Sequence, residues 1–306
     1  MIARVLLAGS AALSAALSGC AVNEPPPELD CSEGRCDVFG TDDRKDPFDP
    51  EVPEAHRRAL RSTGSLVFAG NVGAEGDAVR LRGATVRELF EQAGRPLCPG
   101  ERFADEPHRS FCSGSLIASD TFLTAAHCVQ LGIPLDELCG KLRVVFGFAH
   151  ERAGDDPTLV EASDAYGCRA IELPDTRDDW ALVRLDRDVL DRDPLPLASN
   201  EVAIDQSLLM IGNPLGMPSK LAMGRVVEPE LGDVFLSDHD AFQGNSGSAL
   251  LDPVTFEVHG VLSGGSQDFA PTEDGCFTAQ LCDEVLPGNF GVCSGTRSTP
   301  ASRIRF

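Results

Sequence analysis

Basic residues are in short supply in this chain. Against 48 Asp and Glu it has only 26 Lys and Arg, a formal net charge of −22. A surface that acidic repels polyanions, which excludes nucleic acid and anionic lipid headgroups as charge-driven partners. It would draw in cationic substrates, although plain solubility is the simpler consequence. Long apolar runs are equally scarce, and after residue 19 no stretch is hydrophobic enough to cross a bilayer. Sustained helical periodicity is weak, and no strand–helix alternation recurs, which removes parallel βαβ architectures. No internal repeat is visible. No histidine lies among Cys276, Cys282 and Cys293, so those thiols lack the usual zinc-site companion. Disulfides suit them better, and neither a metal nor a cofactor is expected.

Cysteine, glycine and proline are plentiful instead: 11, 30 and 21 residues in a chain of 306. The cysteines point to an oxidising compartment. The glycines and prolines favour many short strands joined by turns, and an all-β double barrel of roughly 200–250 residues commonly forms one unit. The odd cysteine count has an explanation at the N-terminus. Residues 1–19 begin Met1-Ile2-Ala3-Arg4 and continue as an apolar stretch from Val5 to Leu17, too short to span a bilayer and suited to a signal peptide. Leu17-Ser18-Gly19-Cys20 resembles the lipobox of bacterial lipoproteins, which implies cleavage before Cys20 and acylation of its thiol. Removing Cys20 from the 11 leaves ten, an even set for pairing. The expected location is therefore the bacterial cell envelope as a lipid-anchored protein, or the exterior if Cys20 is not lipidated.

Residues 20–37 form a Pro- and acid-rich tether centred on Pro25-Pro26-Pro27. Cys31 and Cys36 are placed to close a small loop there. From residue 38 to 306 the pattern is that of a folded domain with a disulfide-linked C-terminal segment. Ser65–Ala69 reads as a first core strand. Residues 70–97 read as an insertion with a short helix near Thr85–Ala93. Strands are predicted at Ser113–Ala118, Thr121–Thr124, Leu142–Phe148, Ala181–Leu185, Leu208–Ile211, Ser248–Leu251 and His259–Ser263.

Three segments carry candidate chemistry. In Leu123-Thr124-Ala125-Ala126-His127-Cys128, a histidine at a strand end among small residues can reach an open cleft. Histidine is the side chain best suited to take and return a proton near neutral pH. In Asp178-Asp179-Trp180-Ala181-Leu182-Val183-Arg184-Leu185, an acid enters an apolar strand, where burial is costly without a hydrogen-bonding partner. A histidine Nδ1–H is such a partner. In Asp240-Ala241-Phe242-Gln243-Gly244-Asn245-Ser246-Gly247-Ser248, glycines around a serine allow a tight turn that exposes Oγ and aims main-chain N–H groups at one point. His56, His108, His150, His239 and His259 have no comparable setting and read as structural or surface groups.

Together these strings resemble the chymotrypsin-like serine endopeptidases, over most of the chain from Val38 onward. Within that family the chain is most similar to the bacterial trypsin-like and V8-like branch, on Gly244-Asn245-Ser246-Gly247-Ser248 and Gly40-Thr41-Asp42-Asp43-Arg44. The order His, Asp, Ser is that of chymotrypsin, unlike the α/β-hydrolases, where serine comes first. The resemblance implies two six-stranded antiparallel β-barrels with the active site between them. It implies His127, Asp179 and Ser246 as the triad, selecting Asp179 over Asp178. It further implies the N–H groups of Gly244 and Ser246 as the oxyanion hole, and a disulfide between Cys112 and Cys128. Ser263, Gly264 and Gly265 match the strand that pairs with extended substrate, with Ser263 also supporting Asp179. Asp240 stands where trypsin-like members hold the acid that binds Arg or Lys; the alternative for it is capping a loop within the protein. Asn245 replaces the aspartate that pairs with a new N-terminus in digestive members, Phe242 replaces a cysteine, and Leu262 stands where glutamyl-specific members have histidine. Two other readings are a non-catalytic binding module on the same fold and an HtrA-like quality-control protease, the latter from Ile211-Gly212-Asn213-Pro214-Leu215-Gly216. The stretch after Ser246 is too short to carry a PDZ domain.

Overall fold

The computed structural model describes residues 38–173, 178–265, 268–282 and 295–305. The chain divides into a unit of residues 1–30 and one of 31–306, and every described residue belongs to the second. The signal, tether and lipid-anchor expectations, with Cys20, Cys31 and Cys36, and the pairing of Cys293, lie outside the described residues.

Twelve strands make two closed barrels. In the first, β1 (Thr63–Phe68), β2 (Cys112–Ala118), β3 (Thr121–Thr124), β4 (Leu142–Phe146), β5 (Ala165–Glu172) and β6 (Ala181–Leu185) close in the order β6-β3-β2-β1-β4-β5. In the second, β7 (Ser207–Gly212), β8 (Lys220–Leu231), β9 (Val234–Ser237), β10 (Ala249–Leu251), β11 (Val258–Gly264) and β12 (Thr296–Pro300) close in the order β7-β8-β9-β12-β11-β10. All pairings within both barrels are antiparallel. The two-barrel, all-β architecture expected from the sequence is the one the chain adopts.

Strand alternation explains how the barrels join. Phe122 and Val183 point into the first barrel, while their neighbours Leu123 and Leu182 point outward. Leu208 and Met210 fill the second barrel, while Leu209 and Ile211 point outward. The outward residues of both barrels, with Trp180, Leu251, Val258 and Val261, form one shared apolar layer. Each large side chain buried there contributes about 1.5–3 kcal/mol. The strands facing this layer are therefore apolar on both faces, and their ends lie along the junction where the candidate residues sit.

Three short helices decorate the barrels: α1 (Glu54–Leu60), α2 (Val86–Gln92) and α3 (Leu135–Lys141). Helix α2 fulfils the expectation for the insertion. Thr85 starts it with a capping box, accepting from the Glu88 amide while the Glu88 carboxylate accepts from the Thr85 amide. Disulfides join Cys98 to Cys276, Cys112 to Cys128 and Cys139 to Cys168, and Cys282 is also disulfide-bonded. Among the described residues, no helix is long and apolar enough to cross a membrane.

Candidate active site

Register in the first barrel brings His127 and Asp179 together. Strands β3 and β6 pair antiparallel with Thr124 opposite Ala181. Continuing that pairing sets the residues just after Thr124 beside those just before Ala181. His127 lies on a single 3₁₀ turn, Ala126–Cys128, that follows β3. Its main-chain N–H donates to Asp179 Oδ1 at 2.9 Å and its Nδ1–H donates to Oδ2 at 2.7 Å. Both carboxylate oxygens are thus fixed by one residue. A carboxylate accepts, so in the neutral imidazole this contact selects the tautomer with its proton on Nδ1 and its lone pair on Nε2. The adjacent Asp178 takes a different partner, Arg303 Nε, at 2.8 Å.

Ser246 comes from the second barrel, in the turn that precedes β10. Gly244 and Gly247 take φ of +96° and +87° in this turn. A Cβ at Gly247 would stand 2.2 Å from the Ser113 carbonyl, and one at Gly244 would stand 2.6 Å from the Asn213 carbonyl, so only glycine fits either place. The turn is stitched to the first barrel. Ser113 N–H donates to the Ser246 carbonyl at 2.8 Å, and Ser113 Oγ donates to the Gly244 carbonyl at 2.8 Å. The same hydroxyl accepts from Asn213 N–H at 2.8 Å. Ser113 is fully buried, and its role as a bridge was not foreseen from the sequence. The available signal was a hydroxyl beside a cysteine in an otherwise apolar strand.

The Cys112–Cys128 disulfide lies between the two halves. Cys128 Sγ is 3.7 Å from the Ser246 carbonyl oxygen, and a ring nitrogen of His127 lies within 4.8 Å of both sulfurs. These sulfurs are bonded to each other, so the cluster is not a set of metal ligands. No hydrogen bond joins the Ser246 hydroxyl to His127 in this structure, a looseness common in such pairs before substrate binds. Among the described residues, neither the Gly244 nor the Ser246 amide has an acceptor. In the same peptide unit as the Gly244 N–H, the Gln243 carbonyl accepts from Leu215 N–H at 2.5 Å. A trans peptide points its C=O and N–H in opposite directions, so holding the Gln243 carbonyl on one side turns the Gly244 N–H to the other.

The remaining expected residues divide. Ser263 and Gly264 close β11, and Gly265 follows it. Beyond Leu262, β11 is paired only on its β12 side among the described residues, leaving one edge open. Ser263 Oγ, however, donates to the Arg297 carbonyl at 3.4 Å, and Asp179 is held without it. Asp240 is 2% exposed, and its two oxygens accept from the amides of Phe39 at 2.8 Å and Asp43 at 2.7 Å. Burial, with the neighbouring Asp43 carboxylate, pushes its pKa up to about 7. The contacts are those of an acid that caps the 39–43 segment, in place of the open anion needed to bind a cationic side chain.

Residues 112–261 match the family described as Trypsin-like peptidase domain. The chain thus carries a domain of the trypsin-like peptidase family. The matched residues run from the start of β2 into β11 and contain His127, Asp179 and Ser246. The solved structure of a Glu endopeptidase in complex with MPD is also similar, at 16% identity and a TM-score of 0.46, over 87% of this chain and 94% of that one. Among curated proteins there is no match. As a member of the family the chain is a peptidase, and its disulfides are those of an extracytoplasmic protein.

Proposed function

We propose that the chain is an exported serine endopeptidase in which His127, Asp179 and Ser246 form the triad. The observation that carries this reading is the two-point hold of His127 on Asp179, which turns Nδ1 to the carboxylate and leaves Nε2 as the ring nitrogen available to a hydroxyl. Ser246 Oγ attacks the peptide carbonyl carbon while its proton passes to His127 Nε2. The oxyanion that forms is received by the Gly244 and Ser246 amides. Collapse expels the amine, which takes the proton from His127 and leaves an acyl-enzyme. Water then attacks with His127 again as base, and the acid is released. The acyl half of the substrate would lie along the open edge of Ser263–Gly265 as an added strand, held mainly by main-chain bonds.

The test is labelling with a fluorophosphonate probe. Wild type should label at one site and Ser246→Ala should not. An unlabelled wild type, or equal labelling of the variant, would leave a non-catalytic binding module as the better account. A preference for Arg or Lys is not part of the proposal, since Asp240 is already engaged. For location, we propose a lipid anchor at Cys20, on the lipobox-like Leu17-Ser18-Gly19-Cys20 and the odd cysteine count. Cells fed a labelled fatty acid should transfer label to the wild type and not to Cys20→Ser. Processing without label would reject the anchor and leave secretion.

A further inference from the structure

A cavity of about 320 Å³ adjoins the serine turn. The turn has two ends. At one, Gly247 N–H donates to the Leu262 carbonyl and Leu262 N–H donates to the Ser248 carbonyl, next to the strand proposed for the acyl half. At the other, Gln243 and Gly244 form part of the cavity wall. Ser246 lies between them. A chain running from Ser263 across Ser246 therefore continues toward the cavity. Ser110 and Phe111, also on the wall, directly precede Cys112, whose disulfide lies beside His127, the group that hands a proton to the departing amine.

The outer wall is helix α2. Val86, Leu89, Phe90 and Ala93 recur at the spacing of one helical face, and all four line the cavity. Helix α2 is anchored at two points: Phe90 packs edge-on against Phe269 at 4.7 Å between ring centres, and its N-terminus carries the capping box. The segment after it reaches the loop of residues 213–216. His108 Nδ1–H donates to the Leu215 carbonyl at 2.6 Å, and Arg109 and Ser110 amides donate to the Gly216 carbonyl at 2.8 and 3.1 Å. Leu215, at φ +50°, donates in turn to Gln243. The cavity wall, the 213–216 loop and the Gln243–Gly244 peptide are thus one hydrogen-bonded unit. Arg95, also on the wall, lies over the Phe277 ring at 4.8 Å, and its Nε is buried without a hydrogen-bond partner. That cation disfavours basic side chains.

We propose that this cavity receives an apolar side chain of the substrate on the leaving-group side, and that the insertion bearing α2 sets the preference. The proposal rests on the peptidase reading. The residue concerned lies among the first few positions beyond the scissile bond. The cavity is of a size for one large side chain, lined by apolar groups with few polar ones.

The experiment is a peptide series with a fixed acyl half and varied residues after the cleaved bond, using full-length protein. Each kcat/KM is normalised to cleavage of a short chromogenic amide by the same variant, which lacks a peptide leaving group. Wild type should cleave Leu or Phe peptides at least about tenfold better than Gly or Lys peptides at one of those positions. Leu89→Asp should reduce the ratio to below about threefold, and so should Ala93→Trp, which fills the cavity from an exposed position. A ratio near one in the wild type, or one retained in both variants, overturns the proposal while leaving the peptidase reading intact. Failure to cleave any peptide, with no fluorophosphonate labelling, overturns both.

Discussion

Ser113 makes contacts on which both halves of the candidate site depend. Its amide holds the Ser246 carbonyl, and its hydroxyl joins the Gly244 carbonyl to the Asn213 amide. Buried groups left unpaired cost about 1–3 kcal/mol each, so this serine is a structural requirement of the turn. Asp240 is a residue of the opposite kind, holding a segment at a cost that depends on pH. Its folded pKa, pushed up to about 7, lies above the ordinary value of 3.8 because the carboxyl is buried and faces Asp43, whose own pKa is also raised by burial. The folded state therefore binds a proton more tightly than the unfolded chain. Stability is fully present below about pH 4 and declines as pH rises toward about 7. Melting temperature measured across that range should fall with pH for this pair's contribution, and Asp43→Asn should flatten the fall by removing the like charge. A slope unchanged in Asp43→Asn would sink this account. The motif around Asp240 showed an acid in the right place in the sequence, and could not show that main-chain amides some 200 residues away would occupy both its oxygens.

At the scale of elements, legibility followed hydrophobicity. Strands β2, β3, β6, β7, β10 and β11 supply the apolar layers, and each announced itself as a short run of large aliphatic residues. Strands β5, β8, β9 and β12 did not. Strand β5, Ala165–Glu172, is mostly half-buried or exposed. Strand β8 carries Glu228, Pro229 and Glu230 in its outer half, where its pairing with β9 is irregular. Strand β12 reads Thr296-Arg297-Ser298-Thr299-Pro300, and its burial rests on hydroxyl side chains that composition alone assigns to loops. Helix α2 was legible for a local reason, since Thr85 and Glu88 are spaced as a capping box and the apolar residues that follow have helical spacing. What could not be read was its destination. Only the fold brings that apolar face against Gln243 and Gly244, more than 150 positions away in the sequence. The same holds for the His127–Asp179 contact. Each motif was visible alone, and the register of β3 with β6 is what aligns them.

Over the whole molecule, the described disulfides are distributed unevenly. Cys112–Cys128 and Cys139–Cys168 both tie elements of the first barrel, joining β2 to the turn after β3 and α3 to β5. Cys98–Cys276 joins the insertion to the segment before the last strand. No described disulfide links two strands of the second barrel, which coheres through the alternating aliphatic residues of β7, β10 and β11 and the Phe235 ring. Closing a loop of about 15 residues is worth about 3 kcal/mol by the chain-entropy estimate, a large share of the stability of any domain. Reduction should therefore loosen the two barrels in a definite order. Hydrogen exchange followed by mass spectrometry, with and without a thiol-free reductant, should show protection lost first in residues 112–128 and 139–172, and later or not at all in 207–212 and 249–262. Fluorophosphonate labelling should fall with the first change, because His127 and Asp179 both belong to the barrel that loses its staples. If the second barrel exchanged first, or if labelling survived full reduction of the first, the disulfide beside His127 would not be what keeps the site assembled.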